Sequence, residues 1–371
     1  MRKTSRLPPA LLQGNMKNNH LNNFIFLAVL VGVVLFSRSL YSGGASLFSS
    51  SGLADAGASD GGAASSSQIK VPIFVMPTTA VSATGGVPGS VGAPTGSGNG
   101  GGTAQPTPPG ELPSVFTKTG NAAAPGVSAS AYLVADLTTG AVFASKNPES
   151  RWPTASLTKL MTATIVEDEF TSSTRITITE PMFAVDPTDE TTLAVNGTYT
   201  VADLLPVMLL PSSNVAAQAF ADFYGAANFV GEMNARAAQW GMKDSYFVDP
   251  SGLSAGDEST ADDFLTLAQV IYNKYPEIFA ITRTPQVYIT EQNSGKQILV
   301  KSINDYAGDA DFVGGKTGNT PQANGNLLSV FRYDGHPFII IVLGSSDGEA
   351  SLPAAFSDTN ALAYWFKANF K

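Results

Sequence analysis

The stretch RWPTASLTKLMTATIVEDEF, residues 151–170, is the one on which the reading of the whole chain turns. Leu157, Leu160, Met161 and Ile165 recur at helical spacing, and Pro153 with Thr154 predicts a helix start. Ser156 and Lys159 then stand three residues apart on one face near the helix N-terminus. A lysine one turn from a serine takes its proton once desolvation or a second cation lowers the lysine's own pKa. Backbone N–H groups at a helix start also favour negative charge developing there. A lone S-x-x-K is more often a solvated pair on an amphipathic helix, so the rest of the chain has to decide.

The 371 residues fall into three compositional zones. Residues 1–41 carry five basic side chains, no acid and the apolar run FIFLAVLVGVVLF at 24–36. That run is shorter than the roughly 17–25 residues that span a bilayer, with Leu21, Leu40 and Tyr41 available at the interfaces. The basic residues before it predict an N-terminus kept inside and the rest exported. Ala54-Asp55-Ala56 offers a cleavage site, but far downstream, so an uncleaved anchor is favoured over a signal peptide. Residues 42–125, rich in Gly, Ser, Ala, Pro and Thr, read as a disordered linker with an r.m.s. span on the order of 50 Å. Within it, the apolar patch Val71–Pro77 is flanked by prolines and reads as a solvated segment. Residues 126–371 read as one globular catalytic domain.

From 126 to 371 there are 14 Lys and Arg against 27 Asp and Glu, a net of −13. That balance excludes a nucleic-acid surface and requires any anionic substrate group to meet a local positive site. No cysteine is present, which removes thiol nucleophiles, cysteine zinc sites, disulfides and lipoprotein attachment. Neither a metal nor a cofactor is called for. The two histidines are His20 in the leader and His336 in RYDGHPF, where Asp334-Gly335 predicts a hairpin turn. A Ser-His-Asp triad therefore has no histidine, and a serine enzyme here needs another base.

Two further stretches supply partners. In YTVADLLPVMLLPSSNVAAQAFADFYG, Thr200 with Asp203 predicts a capping box for a helix through about Leu210. Pro211 interrupts it, and a second helix runs from about Val215 to Phe223. Ser212-Ser213-Asn214 lies in the connection, where Ser212 or Asn214 also serves simply as an N-cap. In DFVGGKTGNTPQANGNLLSVFRYDGHPFIIIVLGSS, residues 312–317 read as a strand, with 326–333 and 338–343 as a hairpin. Lys316 and Thr317 line the strand edge, while Gly314, Gly315 and Gly318 leave room for an added peptide strand. Chance copies of all three motifs occur upstream, at Ser67–Lys70, Ser97–Asn99 and Lys118–Gly120, none on a predicted helix start or apolar strand.

The trio S-x-x-K, S-x-N and K-T-G is shared by penicillin-binding proteins and class A β-lactamases. From about Ala129 to the end, the sequence resembles the catalytic domain of D-alanyl-D-alanine carboxypeptidases, the low-molecular-mass penicillin-binding proteins. AYLVADLTTGAVFASKNPESRWPTASLTKLMTA, MNARAAQWGMKDSYFVDPSGLS and STADDFLTLAQVI carry the likeness. The resemblance implies an α+β fold of the β-lactamase/D,D-peptidase type: an antiparallel sheet flanked by helices, a helical subdomain from about 155 to 275, and a site at their junction. It implies Ser156 as acylated nucleophile and Lys159 as its base, with Ser212 and Lys316 relaying a proton to the leaving D-alanine. Asn214 would hold the substrate's peptide carbonyl or Lys159. Lys316 and Thr317, with Gly318 beside them, would receive the terminal carboxylate, and the backbone N–H groups of Ser156 and Asn319 would form the oxyanion hole. On this reading acylation needs Lys159 neutral and Lys316 charged.

Asn319 stands where the family often has His or Tyr, which leaves the backbone donor intact. Lys301 is a weaker candidate for a further carboxylate cation. The C-terminal LPAAFSDTNALAYWFKANFK is expected to pack as a helix on the sheet, and the N-terminal segment to replace the C-terminal membrane helix of many relatives. The implied substrate is the D-Ala-D-Ala end of a peptidoglycan stem peptide, with β-lactams as covalent inhibitors. A D,D-endopeptidase and a non-catalytic β-lactam- or wall-binding protein remain as alternatives. No E-x-x-L-N pattern supplies a β-lactamase's deacylating carboxylate.

Overall fold

The computed structural model describes residues 114–186, 192–348 and 351–371. The leader with its apolar run, the Val71–Pro77 patch, two of the three chance motif copies and the expected linker as far as residue 113 lie outside the described residues.

A five-stranded antiparallel sheet forms the frame, built from β1 (Ala131–Asp136), β2 (Val142–Lys146), β9 (Phe312–Thr320), β10 (Asn324–Tyr333) and β11 (His336–Ser345) in the order β2-β1-β11-β10-β9. The uninterrupted apolar run of β11 reflects cover on both faces. Ile339, Ile341 and Leu343 point into one core, and Phe338, Ile340 and Val342 into the other. Asp334 and Gly335 both have positive φ, 49° and 85°, the requirement of the two-residue turn that the sequence predicts there. The Lys-Thr-Gly strand runs further than expected, through Thr320, because β10 pairs with it as far as Asn324↔Thr320.

One face of the sheet carries the helical half: α1 (Thr158–Glu169), α2 (Glu180–Phe183), α3 (Val201–Leu209), α4 (Asn214–Tyr224), α5 (Ala226–Gln239), α6 (Ala261–Lys274) and α7 (Pro276–Thr282). It extends past the expected limit at 275, and α7 packs on β9. Short antiparallel pairs tie it together: β3 (Trp152–Pro153) with β6 (Glu258–Ser259), β4 (Arg175–Thr177) with β5 (Thr198–Thr200), and β7 (Gln286–Thr290) with β8 (Gln297–Lys301). Helix α1 is buried on every side through Val166, not the amphipathic helix on which a chance S-x-x-K would lie. Those threonines are satisfied inside: Thr162 Oγ1 donates to Pro250 O at 2.6 Å and Thr164 Oγ1 to Met161 O at 2.7 Å.

The other face is covered by α8 (Ser351–Asn369), as the sequence anticipates. Phe366 stacks on Phe338 with ring centroids 4.3 Å apart. The expected domain boundary at Gly126 needs correction. Residues 114–125, assigned to the linker for their small polar composition, fold onto the end of α8. Thr117 and Lys371 exchange backbone hydrogen bonds of 2.8 and 3.0 Å, and Trp365 Nε1 donates to Ala122 O at 2.9 Å. Phe116 is buried against Phe143, Phe338 and Phe366. One aromatic anchor offsets the ordering entropy that composition alone says the segment cannot meet. The upstream Lys118-Thr119-Gly120 copy is part of this closure, with Thr119 N donating to Asn369 O at 2.7 Å.

Candidate active site

The nucleophile turn is held from four sides. Ala155–Leu157 form a 3-10 turn ahead of α1, with Ala155 at φ 47°. A non-glycine residue in that region costs of order 1 kcal/mol or more and persists only where its surroundings enforce it. Asn326, buried on β10, donates from Nδ2 to Pro153 O at 2.8 Å and to Thr154 O at 3.1 Å. From β9, Gly318 approaches so closely that a Cβ there would sit 3.2 Å from Ala155 Cβ. From the opposite side, Gly252 in the loop 249–254 has φ 82°, and a Cβ on it would run into the Ala155 carbonyl oxygen. Thr154 occupies the cap position, but its hydroxyl makes no cap bond; it meets Thr158 Oγ1 at 2.6 Å and Asp257 O at 3.2 Å.

Lys159 is fully buried on the first turn of α1. Its Nζ lies 2.9 Å from Ser156 Oγ, and donates to Asn214 Oδ1 at 2.6 Å and to Ser251 O at 2.8 Å. Two of the three partners can only accept. A neutral amine donating to both keeps its lone pair for the third, the Ser156 hydroxyl. The carbonyl from Ser251 is itself fixed: Asp249 Oδ1 accepts from Ser251 N, Ser251 Oγ and Gly252 N at 2.7–2.8 Å, and Asp249 Oδ2 from Ser254 N at 2.7 Å.

The connection between α3 and α4 presents the second set. The predicted capping box of α3 forms, with Asp203 N donating to Thr200 Oγ1 at 3.2 Å and Thr200 N to Asp203 Oδ2 at 3.2 Å. The N-cap of α4 is Ser213, whose Oγ accepts from Ala216 N at 3.1 Å. Capping by Ser213 releases both its neighbours into the cavity. Asn214 turns its Oδ1 to Lys159 and donates from Nδ2 to Asp186 Oδ2 at 2.7 Å. Ser212, at φ 68°, meets Lys316 Nζ at 2.8 Å.

Lys316, 1% exposed, enters from β9 and also donates to Thr317 O at 2.9 Å. Burial first, and then the charge of Lys159, pull its pKa well below the ordinary lysine value. That shift eases loss of the Lys316 proton, against the expectation that Lys316 stays charged. The strand glycines are also corrected. Gly314 accommodates Phe279 and Gly315 the Leu328 carbonyl, so their space is filled by the protein's own chain; only Gly318 lines the cavity.

The two serine–lysine sets open on one cavity of about 280 Å³, lined by Ser156, Asp186, Ser212, Asn214, Thr317, Gly318 and Asn319, with Pro211, Ile303 and Leu352. All eight residues singled out in the sequence therefore meet: seven line the cavity or, in Lys316, point to Ser212 within it, and Lys159 backs Ser156. Lys301 does not belong, lying exposed at the end of β8. His336 is not involved either, since its ring packs against Phe116. Sequence reasoning missed Asp186, Asp249, Ser251, Asp257 and Asn326. Asn326 and Asp257 act through backbone groups far away in sequence, which no local motif signals. Among the described residues no cluster of acidic and histidine side chains fit for a metal is found.

A family model described as D-alanyl-D-alanine carboxypeptidase matches residues 118–347. A D-alanyl-D-alanine endopeptidase of Pseudomonas aeruginosa is 30% identical over 245 residues, 63% of this chain and 76% of that protein. The D-alanyl-D-alanine carboxypeptidase DacC of Escherichia coli is 27% identical over 269 residues, 68% of this chain and 64% of its own length. The crystal structure of a D-alanyl-D-alanine carboxypeptidase from Mycobacterium tuberculosis superposes with a TM-score of 0.60 at 24% identity, over 67% of this chain and 96% of that one, which establishes the shared fold. With its two serine–lysine pairs facing one cleft between sheet and helices, the chain belongs to the D-alanyl-D-alanine carboxypeptidase family.

Proposed function

We propose that the protein is a serine-type D-alanyl-D-alanine carboxypeptidase that removes the terminal D-alanine of peptidoglycan stem peptides and is acylated by penicillins. The observation carrying this reading is the placement of Lys159 Nζ between two fixed acceptors and the Ser156 hydroxyl.

Ser156 Oγ attacks the carbonyl carbon of the last peptide bond and passes its proton to Lys159 Nζ. The resulting oxyanion meets the backbone N–H groups of Ser156 and Asn319. The C–N bond then breaks, and the leaving amine takes a proton through Ser212 and Lys316, whose groups stand 2.8 Å apart. The substrate carboxylate is received by the Thr317 hydroxyl and Lys316, the local cation that an acidic domain requires. Once the proton taken from Ser156 has passed on to replenish the Ser212–Lys316 relay, Lys159 deprotonates the water that attacks the ester carbonyl, and that proton is returned to Ser156 Oγ as it leaves.

The test is intact mass after exposure to benzylpenicillin, for the protein and its Ser156→Ala variant. We expect a stoichiometric adduct that the variant lacks, and release of D-alanine from a pentapeptide ending in D-Ala-D-Ala. A folded protein that takes no adduct would leave only a binding module. A second reading, D,D-endopeptidase, is favoured by the endopeptidase relatives at 30% and 33% identity. Cleavage of a cross-linked muropeptide dimer faster than of the pentapeptide would select it.

The described domain receives its N-terminal segment at the C-terminal end of α8, whereas Leu352 at the other end of that helix lines the cleft. Nineteen helical residues separate the two by about 28 Å. We further infer, from the basic residues that precede the apolar run 24–36, that the N-terminal segment holds the protein on the outer face of a bacterial cytoplasmic membrane.

A further inference from the structure

Asp257 is a buried carboxyl that the reaction above does not use. It bridges the two segments on which the nucleophile and its base depend. Toward the nucleophile, its backbone O accepts from Thr154 N at 2.9 Å, and its Oδ2 accepts from Thr158 Oγ1 at 3.3 Å; these two threonines bracket Ala155 and Ser156. Toward the base, its Oδ1 accepts from Val248 N at 2.5 Å and Asp249 N at 3.2 Å, at the root of the loop whose Ser251 carbonyl holds Lys159. We propose that Asp257 is a positioning residue for acylation, a clamp whose protonated form locks the Ser156 turn against the Lys159 loop. The inference rests on the acyl-enzyme reading of Ser156.

The direction of the hydroxyl chain explains why protonation matters. With Asp257 ionised, Thr158 must donate to Oδ2 and Thr154 to Thr158, so the 3.2 Å contact from Thr154 Oγ1 to Asp257 O is left with lone pairs facing each other. With Asp257 protonated, Oδ2–H donates to Thr158, Thr158 to Thr154, and Thr154 to Asp257 O. Every hydroxyl hydrogen is then used, and the ring closes around the turn that holds Ala155 at φ 47°. The charged neighbour is Asp249, from the loop; the groups that α1 and its preceding turn bring to the carboxyl are hydroxyls. Lys159, on α1, gives its hydrogen bonds to Asn214 and Ser251. Burial, and then the Asp249 charge, raise Asp257 to about 7, so the closed and open forms exchange near neutrality.

The test is the rate of acylation of the full chain by benzylpenicillin from acid to alkaline pH, in the wild type, Asp257→Asn and Asp257→Ala. The amide mimics the protonated acid: Nδ2 donates to Thr158 and Oδ1 accepts the two loop N–H groups. Asp257→Asn is expected within about twofold of the wild type below neutrality and about threefold faster above it, because the wild-type step near pH 7 is missing. Asp257→Ala, which loses both connections, is expected at least about tenfold slower at every pH. The role is overturned if Asp257→Asn keeps the wild-type step, or is slowed throughout, or if Asp257→Ala is as fast as the wild type. Should the alanine variant not fold, the asparagine profile decides alone. A wild type that takes no adduct at all would instead defeat the serine-enzyme reading and this inference with it.

Discussion

At the scale of single residues, the site depends on backbone conformations that favour glycine. Ala155 and Ser212 both have positive φ, and each lies at a motif position, Ala155 just before the nucleophile and Ser212 at the head of Ser-x-Asn. Such strain survives only because neighbouring groups enforce it. Gly252 is the most exposed to test. Its φ of 82° and its contact with the Ala155 carbonyl leave no space for a methyl group. Gly252→Ala is expected to cost about 2 kcal/mol or more in stability and to slow penicillin acylation by about 100-fold, since the nucleophile turn must shift. Denaturant unfolding and adduct formation, read together, check this; unchanged acylation would mean that the loop does not hold the turn. Ser156, Lys159, Ser212, Asn214 and Lys316 were legible in the sequence because motif spacing is a local property. Asp257 was not, because its carboxyl reaches the site through threonines about a hundred positions away.

At the scale of elements, helix ends place the chemistry. The connection after α3 is tight, and capping falls to Ser213, the middle residue of Ser-Ser-Asn. That choice is invisible in the sequence, where all three residues are good caps; the geometry of the turn decides it. Ser213→Ala removes the bond to Ala216 N and should cost about 1 kcal/mol. Although Ser213 does not line the cavity, acylation should slow as well, because Asn214 and Ser212 lose their fixed frame. Thermal melting together with acylation rate tests this, and a stability loss with an unaltered rate would show that the two neighbours are held independently of the cap. Strand β9 shows the same division. Its residues announced a strand, but its length to Thr320 comes from pairing with β10.

At the scale of the whole molecule, two cores sit on opposite faces of one sheet, and the cleft lies where the edge strand meets the helical half. The second core is closed by a segment that composition assigned to the linker. A chain beginning at Gly126 loses Phe116 and the backbone pairing with Lys371. Burial of one large aromatic contributes about 2–3 kcal/mol. The chain beginning at Gly126 should therefore melt about 5–10 °C below one beginning at Ser114. Its acylation rate should hold, because the cleft lies at the other end of α8. Equal melting temperatures would mean that the segment contributes nothing to the domain.

The sequence by itself determined the helix and strand types, the lack of any cysteine and the serine–lysine sets, which follow from residue type and short-range spacing, while the class of fold came from the chain's resemblance to the D-alanyl-D-alanine carboxypeptidases. Tertiary structure alone decided that Lys316 is held below the ordinary lysine range, that burial pushes Asp257 up to about 7, that the strand glycines serve the protein's own packing, and that the domain starts before Gly126. The physical reason is common to all four. Desolvation, electrostatic coupling and close packing are properties of groups brought together from distant parts of the chain, and their strength depends on distances that only the folded chain sets.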